Sequence, residues 1–114
     1  MKTGNLNLDL QANPRNGYVI NGLDGKIGDI FELKKTPNFE LRWICIKKGE
    51  VKKSHAEPNT TAIVILIKGC HRVFFKSKMI DLNEQGDYVL IAPNEIHSWE
   101  AMEDNLLIAL RLKS

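Results

Sequence analysis

The chain has 114 residues, with 16 Lys and Arg against 14 Asp and Glu, 43% hydrophobic residues and 26% charged residues. A chain of this length is expected to form one domain around one core, and no apolar run approaches the ~20 residues that span a bilayer. The near-balanced charge excludes a typical nucleic-acid-binding protein, and because the first residues lack the apolar stretch of a signal peptide, we expect a cytoplasmic protein.

Taken in chain order, the sequence predicts short strands separated by turn residues, the pattern of an all-β sandwich or barrel. Leucines alternate with polar residues over residues 6–10, which is the period of a strand. Residues 5–12 are the one place where a short helix could lie, but we do not predict one. Residues 13–17, Asn-Pro-Arg-Asn-Gly, are a predicted turn, and three glycines between residues 22 and 28 mark an irregular stretch.

Further along the chain, strands are predicted between glycines, prolines and charged turns, at residues 39–46, 60–67, 72–76, 87–92, 98–102 and 105–112. In the last of these we expect four alternating residues to form the buried face, namely Leu106, Ile108, Leu110 and Leu112. Arg111 is then expected on the opposite face.

Residues 63–67, Ile-Val-Ile-Leu-Ile, are apolar at every position. A strand with one face in water should alternate apolar and polar residues, so both faces of this strand are expected to be covered. The second cover is either a second subunit or the N-terminal segment of the same chain. We predict a homodimer, with the N-terminal segment as the alternative.

Histidines are the main candidates for chemistry. His55 and Glu57 are two residues apart, so in an extended chain they point to the same face. Together with His97 from a distant strand they would form a set of two histidines and one carboxylate, which can hold a divalent metal and leave positions open for substrate. His71 is expected to be structural, although it could face the cavity as a fourth polar group.

Residues 49–69 resemble the first motif of the cupin family, commonly written G-x5-H-x-H-x(3,4)-E-x6-G. His55 and the two glycines that bound the segment stand at the motif positions with matching spacing. Glu57 replaces the second histidine, and Ala62 stands where the motif has its glutamate. In metal-binding cupins this motif supplies two histidines and a glutamate, so the resemblance implies that only His55 and Glu57 remain as ligands here.

Residues 86–101 resemble the second cupin motif, commonly written G-x5-P-x-G-x2-H-x3-N. His97 stands at the histidine that completes the site in metal-binding members. Asn94 takes the place of the second glycine, and Ala101 that of the asparagine. Because asparagine tolerates the positive φ that glycine would supply, we expect Asn94 to preserve the turn.

The resemblance implies a small double-stranded β-helix, the RmlC-like jelly-roll barrel of cupins, with residues 1–114 in one domain and residues 1–38 forming N-terminal strands and loops. It leaves two functions open. In the first, His55, Glu57 and His97 hold a divalent metal (iron, manganese, zinc or nickel) in an enzyme of the dioxygenase, isomerase or decarboxylase type that acts on a small polar molecule. In the second, the barrel is a metal-free module that binds a small ligand, such as a sugar or a carboxylate, without catalysis.

Trp99 and Ala101 share the expected face of His97 and are therefore predicted to line the pocket. The other predicted pocket residues are Trp43, Ala62 and His71. Aromatic walls with a few polar groups are typical of a small-molecule site.

Arg111 and four lysines are not assigned to the site. The set of His55, Glu57 and His97 is also similar to the metal-binding residues of 2-oxoglutarate dioxygenases, and those enzymes need a basic residue to bind the co-substrate. Arg111 is the only arginine after His97, and its expected face excludes it from that role. Four lysines between residues 47 and 53 are expected to solvate a turn.

Overall fold

The computed structural model describes residues 3–12, 15–19 and 26–113. One short helix, α1 (Leu6–Ala12), comes first in these ranges, and none of their helices is long and apolar enough to cross a membrane. Ten strands follow in the same ranges: β1 (Arg15–Val19), β2 (Lys26–Thr36), β3 (Phe39–Ile46), β4 (Val51–His55), β5 (Thr60–Lys68), β6 (His71–Phe75), β7 (Met79–Leu82), β8 (Tyr88–Ile91), β9 (His97–Ala101) and β10 (Asn105–Lys113).

The strands form two antiparallel sheets. The first has six strands in the order β1-β2-β3-β10-β5-β8, and the second has four in the order β4-β9-β6-β7. Apolar residues of both sheets form one buried cluster, which includes Ile44, Leu66 and Leu107 from the first and Val73 and Leu82 from the second. The predicted all-β architecture is therefore confirmed, with one short helix added to it.

Helix α1 replaces the strand predicted at residues 6–10. Asn5 caps it, because the side-chain Oδ1 accepts the backbone N–H groups two and three residues further on, at 3.0 and 3.1 Å. Leu6 and Leu10 are four residues apart and share one face of the helix, where Leu10 is buried, whereas Leu8 is exposed. Over so short a stretch, an alternation of leucines satisfies the helical period as well as the strand period.

The predicted N-terminal turn is also wrong in part. Residues 15–19 form β1, which pairs antiparallel with β2, and Gly28 of the predicted irregular stretch lies within β2. Residues 13, 14 and 20–25, which carry the rest of both predictions, lie outside the described residues.

Strand β10 turns the opposite face to the core from the one predicted. Leu107 and Ala109 are buried, while Leu106, Ile108 and Leu110 are only partly buried. Arg111 has the parity of Leu107 and therefore points toward the interior instead of away from it. The prediction failed because both faces of this strand are apolar, so hydrophobicity alone does not identify the inner one.

Candidate functional site

A small cavity lies between the two sheets. Strands β4 and β9 form one wall, and strands β3, β5 and β10 form the other. Its volume is about 60 Å³, which is room for a compact molecule of a few heavy atoms. The apolar part of the lining includes Ile44, Ile46, Val64, Val73, Ile91 and Leu107, and the charged or polar part consists of Arg42, Lys52, His55, Glu57, His71, His97 and Arg111.

His55 and His97 face each other across the β4–β9 pair. The two residues are direct partners in the strand register, and their ring centroids are 4.1 Å apart. Each Nδ1 lies near a backbone carbonyl oxygen two residues earlier, at 3.1 Å for His55 and 2.9 Å for His97. Because a carbonyl oxygen only accepts, we infer that both Nδ1 atoms carry the hydrogen and both Nε2 atoms keep a lone pair.

Both of these imidazoles are neutral at pH 7. Burial, assisted by the charge of Lys52 and by His97, lowers the pKa of His55 from its usual 6.5 to about 4. Burial also lowers the pKa of His97, despite the opposing hydrogen bond to the Glu95 carbonyl. The pair can therefore accept hydrogen bonds through Nε2.

Glu57 enters the site from the loop that follows β4. Its backbone carbonyl accepts a hydrogen bond from the Asn94 N–H at 2.9 Å, which ties the two motif segments together. Asn94 has φ of 64°, so the positive φ predicted at this position is confirmed. The Glu57 carboxylate lies 3.9 Å from His55 Nε2 through Oε1 and forms an ion pair with the Arg111 guanidinium through Oε2.

Arg111 belongs to a buried chain of alternating charges. It lies opposite Glu40 in the β3–β10 register, with its Nε 3.8 Å from the Glu40 Oε2, and Glu40 also pairs with Arg42. The Glu40 and Arg42 side chains are only 8% and 7% exposed. Such pairing offsets much of the cost of removing these charges from water.

Lys52 reaches the cavity because β4 is irregular. The register of β4 against β9 shifts between Lys52 and His55, as in a β-bulge. Residues three apart in a regular strand face opposite sides, whereas here both line the cavity. Burial, together with the nearby Arg111 and Arg42, lowers the pKa of Lys52 from 10.5 to about 8.

His71 lines the floor of the cavity from β6 and is only 2% exposed. The side chain of Asn105 fixes the tautomer of His71. Asn105 Oδ1 accepts the Cys70 N–H at 2.8 Å, so Asn105 Nδ2 must donate to His71 Nδ1, at 3.0 Å. Burial lowers the pKa of His71 to about 4. The Trp99 ring lies beside it, with centroids 5.0 Å apart.

The other predicted pocket residues divide into two groups. Ala62 and Trp99 line the cavity, while Ala101 lies in the buried cluster next to it. Trp43 does not reach the cavity, because it has the parity of the outer face of β3, where its indole N–H donates to Asn7 of α1 at 2.9 Å.

Sequence reasoning missed three cationic residues of the site. Arg42 and Arg111 were missed because the inner faces of β3 and β10 were not identified. Parity with the buried residues Ile44 and Leu107 is the signal that could have found them. Lys52 was expected in a solvated turn, and only the irregular pairing of β4 brings it inward.

The arrangement does not fit the metal site predicted at His55, Glu57 and His97. The Nε2 atoms of both histidines keep a lone pair, but the Glu57 carboxylate is paired with Arg111. Arg111 is also the strand partner of Ala62, the position at which metal-binding cupins carry their glutamate. Within residues 3–12, 15–19 and 26–113, no group of three His, Cys, Asp or Glu side chains is placed to hold a metal ion.

Comparison with known proteins identifies the fold. No family model and no curated protein matches the chain. Among solved structures, a protein described as a predicted oxalate decarboxylase from Thermotoga maritima matches with a TM-score of 0.75 and 16% identity, over 89% of this chain and 92% of that one. KdgF from a Halomonas species matches with 0.71 and 20%, over 80% and 84% of the two chains. An RmlC-like cupin from Shewanella frigidimarina matches with 0.71 and 18%, over 80% of each. The protein has the cupin fold.

Proposed function

We propose that this protein binds a small organic carboxylate in the cavity between its sheets, without a metal ion. The observation that supports this proposal most is the charge of the lining, in which Arg42, Arg111 and Lys52 accompany a single carboxylate, Glu57, among the described residues. Glu40, which lies behind the two arginines, balances one more of these charges.

The charge balance favours an anion over a cation as the ligand. Three cationic side chains face two carboxylates, and the nearby histidines are neutral at pH 7 because burial lowers the pKa of each. A divalent cation would raise the excess positive charge in a site of low dielectric constant, whereas a carboxylate would neutralise it. Arginine has five N–H donors, so Arg111 can hold Glu57 and still donate to a ligand carboxylate.

Arg111 is the residue that tests this function. We expect Arg111→Met to abolish saturable binding of lactate, a small carboxylate, as measured by isothermal titration calorimetry of chelator-treated protein. The matched control is Arg72→Met, which removes an arginine from a bidentate pair with Asp81 outside the cavity and should leave binding unchanged. Equal binding by the wild-type protein and the Arg111 variant would contradict the proposal, as would no binding by either.

A metal-dependent enzyme, with His55, Glu57 and His97 as ligands, is the competing function. One observation favours this function. Both histidines donate through Nδ1 to backbone carbonyls, which leaves the lone pair of each Nε2 available to bind a metal. It requires Glu57 to leave its pair with Arg111. Metal analysis of protein purified without an affinity tag, compared with His55→Ala and His97→Ala, separates the two functions.

We also propose that two copies of the chain associate through the outer face of the six-stranded sheet. Leu90 and Tyr88 of the edge strand β8 lie opposite Ile63 and Ile65 of β5, which makes an apolar strip on that face. An exposed apolar edge strand readily pairs with another protein surface.

A further inference from the structure

Lys52 occupies an unusual place for a lysine. It lines the interior of the barrel with His55, His97 and Arg111, and its strand partner across the sheet is Trp99, which lines the same cavity. The β-bulge that brings it there is a specific local feature of β4, since a regular strand would turn Lys52 away from His55. Bulges are frequent next to active sites, where they reorient a side chain.

The surroundings of Lys52 raise the share of its neutral amine form above that of an ordinary lysine, although the ammonium still predominates at pH 7. Burial is the main cause of the lowered pKa, about 8, and the cations Arg111 and Arg42 act in the same direction. A desolvated lysine beside other cationic groups is the usual form of an amine nucleophile that attacks carbonyl compounds. The exposed neighbour Lys53 lies outside this cavity and has no such surroundings.

We propose that Lys52 is a nucleophile that forms a reversible imine with a small 2-oxo acid bound in the cavity. This inference rests on the proposed function, in which Arg111 holds the ligand carboxylate in the same small cavity that Lys52 lines. A 2-oxo acid of two or three carbons is comparable in size to the cavity of about 60 Å³.

The reaction is a condensation without a change of oxidation state. The Lys52 ammonium first gives its proton to solvent, and the neutral Nζ attacks the carbonyl carbon. A C–N bond forms, the carbonyl oxygen takes up a proton, and this hydroxyl then leaves as water with a second proton. Ammonium and 2-oxo acid thus become a protonated imine and one molecule of water, so atoms and charge balance.

Reductive trapping tests the inference. The full chain is incubated with pyruvate and sodium cyanoborohydride, and the modified lysine is located by peptide mass spectrometry. We expect a reduced adduct on Lys52 in preference to the other lysines, its loss in Lys52→Arg and its retention in the matched control Lys53→Arg. Excess lactate, which has the carboxylate but no carbonyl, should suppress the adduct. Circular dichroism of the variants confirms that they are folded.

Two results separate failure of this inference from failure of the proposed function. If lactate binds in calorimetry but pyruvate is not trapped on Lys52 above the level of the exposed lysines, the imine is refuted and the carboxylate site stands. If neither lactate nor pyruvate binds, the carboxylate site is refuted, and the imine inference that rests on it is refuted as well.

Discussion

At the scale of single residues, the neutral His71 in the interior of the barrel makes the stability of the protein depend on pH. His71 is buried beside the cavity and accepts a hydrogen bond from Asn105, so a proton on its Nδ1 would remove that bond. The folded protein therefore resists protonation of this histidine, and burial sets its pKa at about 4 against 6.5 for an ordinary histidine.

The stability of the protein should accordingly fall in mildly acidic solution. Between pH 6.5 and pH 4 the unfolded chain takes up a proton at His71 that the folded chain does not. The free energy of unfolding then decreases as the pH is lowered through this window, by up to about 1.4 kcal/mol per pH unit from this residue, and His71 adds no slope above it. Urea unfolding at several pH values measures the slope.

His71→Gln isolates this contribution from that of titrating carboxylates. Glutamine can still accept a hydrogen bond from Asn105 but does not titrate, so we expect the variant to show a smaller loss of stability between pH 6.5 and pH 4. Parallel pH profiles for the wild-type protein and the variant would show that His71 is not the group responsible.

The arginines show, at the same scale, why the site was only partly predictable. The motif spacing identified His55 and His97, and the structure brings their rings together. The same spacing could not identify Arg111 as a site residue, because the choice between the two apolar faces of β10 depends on packing against α1 and the opposite sheet. The ion pair between Arg111 and Glu57 is what changes the chemistry expected of this site.

At the scale of elements, the sequence predicted the positions of several strands but not how the strands pair. Strands β5, β6, β8, β9 and β10 lie within a few residues of the predicted ranges, because apolar and β-branched runs end at turn residues such as Gly69. Strand β4 was not predicted, since the sequence Val-Lys-Lys-Ser-His lacks a clear alternation. Its bulge depends on pairing with β9, which no local sequence pattern reports.

The turn between β5 and β6 is a sensitive point of the fold. Gly69 has φ of 113°, and a Cβ there would overlap the Asn105 side chain and the Asp104 carbonyl oxygen. Gly86 has a similar φ of 92°, but a Cβ there would meet nothing within 4 Å. The two glycines therefore separate the cost of backbone strain from the cost of a steric overlap.

We expect Gly86→Ala to lower the free energy of unfolding by an amount on the order of 1–3 kcal/mol, the cost of the strained φ alone. Gly69→Ala should lower it further, because the overlap also displaces the Asn105 side chain that holds the Cys70 N–H and His71. Urea unfolding at neutral pH compares the two variants. Equal losses would mean that the overlap is relieved without cost.

At the scale of the whole molecule, the six-stranded sheet has an outer face that is covered unevenly. Helix α1 lies over β3 and β10, where Leu6 is near Leu41, Trp43 and Ile108. Both of the covers considered from the sequence thus bear on this face: the N-terminal segment covers part of β3 and β10, and the proposed second copy would cover β5 and the edge strand β8. On β8, Tyr88 and Leu90 are 67% and 54% exposed.

Association through this strip should be lost when a charge is placed in it. We expect the wild-type protein to have twice the mass of one chain in size-exclusion chromatography with light scattering, and Leu90→Glu to have the mass of one chain. Met79→Glu is the matched control, because Met79 is 52% exposed on the other sheet. A monomeric wild-type protein, or a Leu90→Glu variant that remains dimeric, would contradict the proposed interface.

The most direct test of the central claim measures metal content and carboxylate affinity on the same sample. Protein purified without an affinity tag is divided, one half is treated with a chelator, and both halves are titrated with lactate after elemental analysis. We predict metal well below one equivalent per chain and the same saturable lactate binding in both halves. One equivalent of metal, with binding that is lost on chelation and restored by adding the metal back, would contradict the claim.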